Sequence, residues 1–156
     1  NITLTLAGNS DLIGFTGLLN GRAYINSARC LEDSEICFIP KNIFLDVLRS
    51  SNELQLTLLK RTSYEIYCIS NFVKSLKCKN MRSRVINALL EVEKKFGLDE
   101  SDCLNISLTR KEISELSGTT TESVIRILND LKKEKMIDFL NNRVKVIDLN
   151  KLQLYL

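Results

Sequence analysis

The stretch "TTTESVIRIL", residues 119–128, sets Glu122 and Arg126 four positions apart, a spacing that stacks two side chains on one helical face. At about 100° per residue, Asn129 and Lys133 fall on the same side. Val124, Ile127, Leu128 and Leu131 line up at i, i+3, i+4 and i+7 on the other side. An acid and a guanidinium in line can read base edges. Arg126 can donate two hydrogen bonds to guanine O6 and N7, and Glu122 can accept one from cytosine N4, each good pair being worth about 1–3 kcal/mol of discrimination. The competing reading is a solvated salt bridge contributing roughly 0.2–0.5 kcal/mol. Threonine hydroxyls and free N–H groups at the start of such a helix suit phosphate oxygens, and Arg143 could reach a neighbouring phosphate.

Other chemistry finds little support. The chain contains no histidine, and no G-x-S-x-G, P-loop or metal-ligand cluster is present, so catalysis is not expected. Its five cysteines are an odd number without a C-x-x-C pair, which argues for reduced thiols and against a zinc site. The net charge of +3 on 156 residues is too small to mark a nucleic-acid binder by itself, so any basic patch must be local. No apolar run approaches the roughly 18 residues needed to span a bilayer, and a soluble, cytoplasmic protein is expected.

The elements that would carry Glu122 and Arg126 are written around them. "TRKEISELSG" opens with Thr109 as N-cap and Glu112 three residues on, a capping box, and closes at Gly118. After a tight turn the second helix starts, with Thr120 or Thr121 as its cap. "MIDFLNNRVKVIDL" then alternates on both sides of Asn141-Asn142, a β-hairpin signature. Helix, turn, helix and hairpin describe a winged helix-turn-helix, whose second helix enters the major groove.

Upstream, "NMRSRVINALLEVEKKFG" reads as a helix stopped by Gly97, followed by an acidic loop and a short strand, "LNISL". Residues 52–78 contain neither Gly nor Pro, and Leu59, Thr62, Ile66, Ile69, Val73 and Leu76 recur there at alternating spacings of three and four. That is a heptad seam, which suits pairing with a second copy or packing on the chain's own sheet. "KNIFLDVLRS" makes a shorter helix. The first forty residues are strand-like and broken by turns, as in part of a β-sandwich or β-roll, with a short helix over "GFTGLL". The fold class is α+β. The expected divisions are a partial effector-binding, cupin-like β-roll at 1–50, a dimerisation helix and hinge at 51–79, and the winged helix-turn-helix at 80–156.

With these residues in view, the chain resembles the Crp/Fnr family of bacterial transcription regulators. "LTRKEISELSGTTTESVIRILNDLKKEKMI" carries the family's T-R-x-E-I-x-x-x-x-G and E-S/T-V-x-R-x-L runs, and "GNSDLIGFTGLLNGRAYINSARCLEDSEICFIP" looks like the second half of its effector roll. The resemblance implies that Glu122 and Arg126 form the base-reading pair. Thr121 stands where relatives carry a second base-contacting arginine, and Thr120, Ser123 and Arg110 match phosphate-contacting positions. The partners so implied are double-stranded DNA, a second copy of the chain, and RNA polymerase. The runner-up is an effector-binding adaptor whose helix-turn-helix contacts a protein.

Two departures bear on the effector. The family's cyclic-nucleotide pocket uses Gly-Glu and Arg-Ser or Arg-Thr; the matching positions here are Gly14-Phe15 and Asn26-Ser27. Phe15 cannot accept a hydrogen bond and Asn26 cannot neutralise an anion, so neither cyclic AMP nor cyclic GMP is expected as ligand. Cys37 stands where the oxygen-sensing branch has a cluster ligand. One thiolate does not hold an iron–sulfur cluster, and Cys37 is expected as a packed core residue. Family members carry further strands before the position of Asn1, so a chain lacking its amino-terminal portion is expected.

Overall fold

In the computed structural model, which describes residues 1–155, Pro40 divides a loop-rich segment from a helical one. Before it the only regular element is α1 (Phe15–Asn20), over the "GFTGLL" stretch. Directly after Pro40 runs α2 (Lys41–Ser50), and α3 (Asn52–Cys78) follows, with Ser51 accepting a hydrogen bond from Leu54 N at 3.2 Å. Phe15, Phe44 and Leu58 bury their side chains against one another, so α1, α2 and the start of α3 share a small apolar core.

A larger core lies in the carboxy-terminal half. It is assembled from α4 (Met81–Phe96), α5 (Arg110–Ser117), α6 (Thr121–Lys133), the antiparallel strands β1 (Ile137–Leu140) and β2 (Arg143–Val146), and α7 (Leu149–Gln153). Ile86, Leu89, Ile113, Leu128, Leu131, Ile137 and Leu152 are all fully buried there. Each stabilises the fold by about 1.5–3 kcal/mol relative to exposure. The capping box forms as the sequence indicates. Thr109 Oγ1 accepts from Glu112 N at 3.2 Å, and Glu112 Oε2 accepts from Thr109 N at 2.8 Å. Ile137 pairs with Val146 and Leu140 with Arg143, which leaves Asn141-Asn142 as a two-residue turn. Both asparagines are left-handed (φ 48 and 66), as a primed hairpin turn requires.

The expected strands of the β-roll do not form within residues 1–40. A strand exists through its ladder, and no second strand among the described residues lies beside these segments. Thr3 N donates to Glu115 O of α5 at 3.0 Å, and Gly8 N donates to the Asp11 carboxylate at 2.8 Å. Ile36 and Phe38 of "EICFIP" are exposed, and Cys37 between them is exposed too, not packed in a core as the sequence suggested. "LNISL" is likewise not a strand. Its neighbourhood makes the isolated bridges Leu98–Leu104 and Cys103–Lys145, Leu104 N donates to Val144 O at 2.9 Å, and Leu104, Ile106 and Leu108 are buried in the larger core.

Instead of a roll, the amino-terminal segment forms a strap over α4 and α5. Leu6 and Leu31 pack on the larger core. Arg29 pairs with the buried Glu115 at 2.8 Å, and Glu32 accepts from Ser107 N at 2.8 Å. Asp11 joins three elements, accepting from Arg61 of α3 at 2.6 Å and pairing with Lys95 of α4. Burial pushes its carboxyl up, but the Gly8 N–H, Lys95 and Arg61 outweigh that and hold it below the usual carboxylate range.

Candidate nucleic-acid interface

The position of α6 is fixed by the turn that precedes it. Gly118 caps α5 in the left-handed region (φ 59), where a side chain would be strained. A Cβ there would also lie 2.7 Å from Leu76 Cδ2 and 3.2 Å from Phe72 Cζ, both reaching over from α3. Thr119 N donates to Ser114 O at 3.1 Å, and the chain enters α6 at Thr121.

Thr120 is the N-cap, its hydroxyl accepting from Ser123 N at 3.2 Å and lying 3.1 Å from Ser123 Oγ. Thr121 is half-buried with its hydroxyl 3.4 Å from Ser114 Oγ. The N–H groups of Thr121 and Glu122 have no acceptor among the described residues, so the positive end of the helix faces outward unsatisfied. Val124, Ile127, Leu128 and Leu131 are all buried, which directs the opposite face to solvent.

On that solvent face Glu122 and Arg126 are both exposed, and neither has a hydrogen-bond or ion-pair partner among the described residues. The salt bridge that their spacing permits is not made. Ile125 beside them is 46% exposed. A free carboxylate, a free guanidinium, an apolar side chain and two free N–H groups thus share one helical end.

The other arginines of the sequence reading are placed differently. Arg110 is half-buried with its guanidinium 4.3 Å from the centre of the Phe139 ring, and burial lowers its pKa. Arg143 is engaged within the chain. Its Nη1 meets Asp99 at 2.8 Å and its Nε donates to Leu104 O at 3.1 Å. Asp99 and the Leu104 carbonyl offer it fixed acceptors beside β2, and a partly desolvated guanidinium takes them. Lys132 pairs with Asp138 at 2.5 Å, and Lys133 with Asp130 at 3.6 Å.

On α3, Leu59, Ile66 and Val73 are 64%, 60% and 61% exposed, and Ile69 and Leu76 are exposed as well. Thr62 is half-buried, its hydroxyl donating to Leu58 O at 2.9 Å. Of the effector-pocket positions, Gly14 is left-handed (φ 80) and Phe15 is only 4% exposed, a member of the small core; Asn26 and Ser27 are exposed. Among the described residues no group of three or more His, Cys, Asp or Glu could hold a metal ion, and no helix is long and apolar enough to cross a membrane.

Sequence reasoning missed Arg84, whose guanidinium is bound to Ser117 O, Gly118 O and Lys79 O. Two of those carbonyls lie more than thirty positions along the chain, and no local pattern announces them.

Residues 83–155 match the family model described as a Crp-like helix-turn-helix domain. The anaerobic regulatory protein of Bacillus subtilis is 27% identical over 140 residues, covering 88% of this chain and 59% of that protein. Electron transport regulator A of Shewanella oneidensis is 26% identical over 151 residues, covering 96% of this chain and 59% of that protein. Among solved structures, a CooA variant from Carboxydothermus hydrogenoformans superposes with a TM-score of 0.65 at 25% sequence identity, over 73% of this chain and 54% of that one. The chain therefore spans 59% of the length of these two curated relatives.

Proposed function

We propose that the chain is a Crp/Fnr-type transcription regulator that works as a homodimer, reading a near-palindromic DNA site through the outer face of α6; the Crp-like helix-turn-helix match over residues 83–155 and the likeness to the regulators named above support this. The observation that carries this reading is the unpaired state of Glu122 and Arg126. Both are exposed and unpaired among the described residues, at the helix end that would enter a major groove, so a carboxylate and a guanidinium are available there to base edges. Arg126 donates to guanine and Glu122 accepts from cytosine. The free N–H groups of Thr121 and Glu122, with the Thr120 and Ser123 hydroxyls beside them, face phosphates, and Arg110, stacked on Phe139 at the start of α5, is a further phosphate candidate. Thr121, half-buried and without charge, contributes position more than base contact.

The second copy is supported by the heptad stripe of α3, whose Leu59, Ile66, Ile69, Val73 and Leu76 stay exposed in the single chain. Two-fold pairing along that stripe sets two half-sites about one helical turn, ~34 Å, apart. The effector is not a cyclic nucleotide. Phe15, where relatives place a carboxylate, is core, and Asn26 brings no positive charge to a phosphate.

Salt dependence separates this reading from an adaptor that contacts a protein. Duplex affinity of the purified protein, measured by fluorescence anisotropy, falls steeply as salt rises, with a log–log slope of about −0.9 per phosphate contacted. A flat response, or no duplex binding at low salt, favours the adaptor.

A further inference from the structure

Half-buried on the first turn of α4, Arg84 commits all three of its guanidinium nitrogens to backbone carbonyls. Nε donates to Ser117 O at 3.0 Å, Nη2 to Gly118 O at 3.2 Å, and Nη1 to Lys79 O at 3.2 Å. Ser117 ends α5 and Gly118 caps it, so the first two acceptors belong to the unsatisfied, negative end of that helix. Lys79 caps α3, so the third acceptor belongs to the end of the long helix. One planar group holds two helix ends in a fixed relation. Phe72 and Leu76 close the same joint from α3, lying against Gly118 so tightly that a Cβ would collide. Only Thr119 and Thr120 then separate the joint from α6.

We propose that Arg84 is a positioning residue for DNA recognition. It touches no base, but it sets the angle and separation at which a dimer built on α3 presents its two α6 helices. This rests on the DNA-reading function argued above. The chemistry is that of a rigid fork: three donors diverge in one plane, and each finds a different carbonyl. A lysine keeps the charge but is a point donor on a flexible stem, unable to hold three acceptors in fixed directions.

The test is a duplex selection in which the half-site is held constant and the spacing varies one base pair at a time. The wild-type chain is expected to prefer one spacing over its neighbours by about tenfold, the worth of roughly one charge-assisted hydrogen bond. Arg84→Lys should flatten that preference to within about threefold while leaving base preference inside the half-site unchanged. Phe72→Ala, which loosens the joint from the other side, should flatten it in the same direction, and it decides the matter if Arg84→Lys fails to fold. Wild-type spacing preference in the folded variants, or equal weakening at every spacing, overturns the positioning role. If the wild-type chain enriches no duplex at all, the DNA reading fails first and this inference falls with it.

Discussion

Arg126 and Arg143 carry the same side chain, and their surroundings give them opposite duties. Arg126 projects from the exposed face of α6 with no partner among the described residues, whereas Arg143 is bound between Asp99 and the Leu104 carbonyl. Arg143→Ala should therefore act on the fold. Leaving the Leu104 carbonyl without its donor costs about 1–2 kcal/mol, visible as a lower urea midpoint. The salt slope of duplex binding should stay at the wild-type value; a slope shallower by about one contact would make Arg143 a phosphate ligand after all. The sequence placed Arg126 correctly on an outward face because helical period alone determines it. It could not place Arg143, whose partner Asp99 is 44 positions away and belongs to a loop without a pattern.

At the scale of elements, the same distinction explains what was legible. The boundaries of α2, α3 and α4, the capping box of α5 and the Asn141-Asn142 turn follow from local rules, and the chain shows them. Strands depend on partners, and the segments at Ile2–Leu6 and Glu35–Pro40 find none, so alternation there gave no ladder. The helix-turn-helix joint combines both kinds of information. Gly118 was readable as a helix stop, but its close approach to Leu76 and Phe72 was not. Gly118→Ala should lower stability by about 1–2 kcal/mol, from the left-handed backbone and the crowding together. Thermal melting checks this, and an unchanged midpoint would mean that the two α3 side chains yield without cost.

Across the whole molecule, two cores are joined by α3, while Asp11 ties the amino-terminal segment to α3 and α4, and Arg29 ties it to α5. The exposed heptad stripe on the joining helix is the seam of the proposed dimer. Val73→Glu sets two like charges against each other on the proposed seam and should weaken dimerisation by about 100-fold in sedimentation experiments, with helix content retained. A wild-type chain that stays monomeric at high micromolar concentration would remove the seam from the account. The central claim, that α6 reads base sequence through Arg126, is tested most directly by selecting duplexes from a random library with the wild-type chain and with Arg126→Ala. In the variant, a two-fold-related pair of positions should lose its guanine preference, by about 1–3 kcal/mol, while the remaining positions keep their ranking. An identical preference at every position for the two proteins would contradict it.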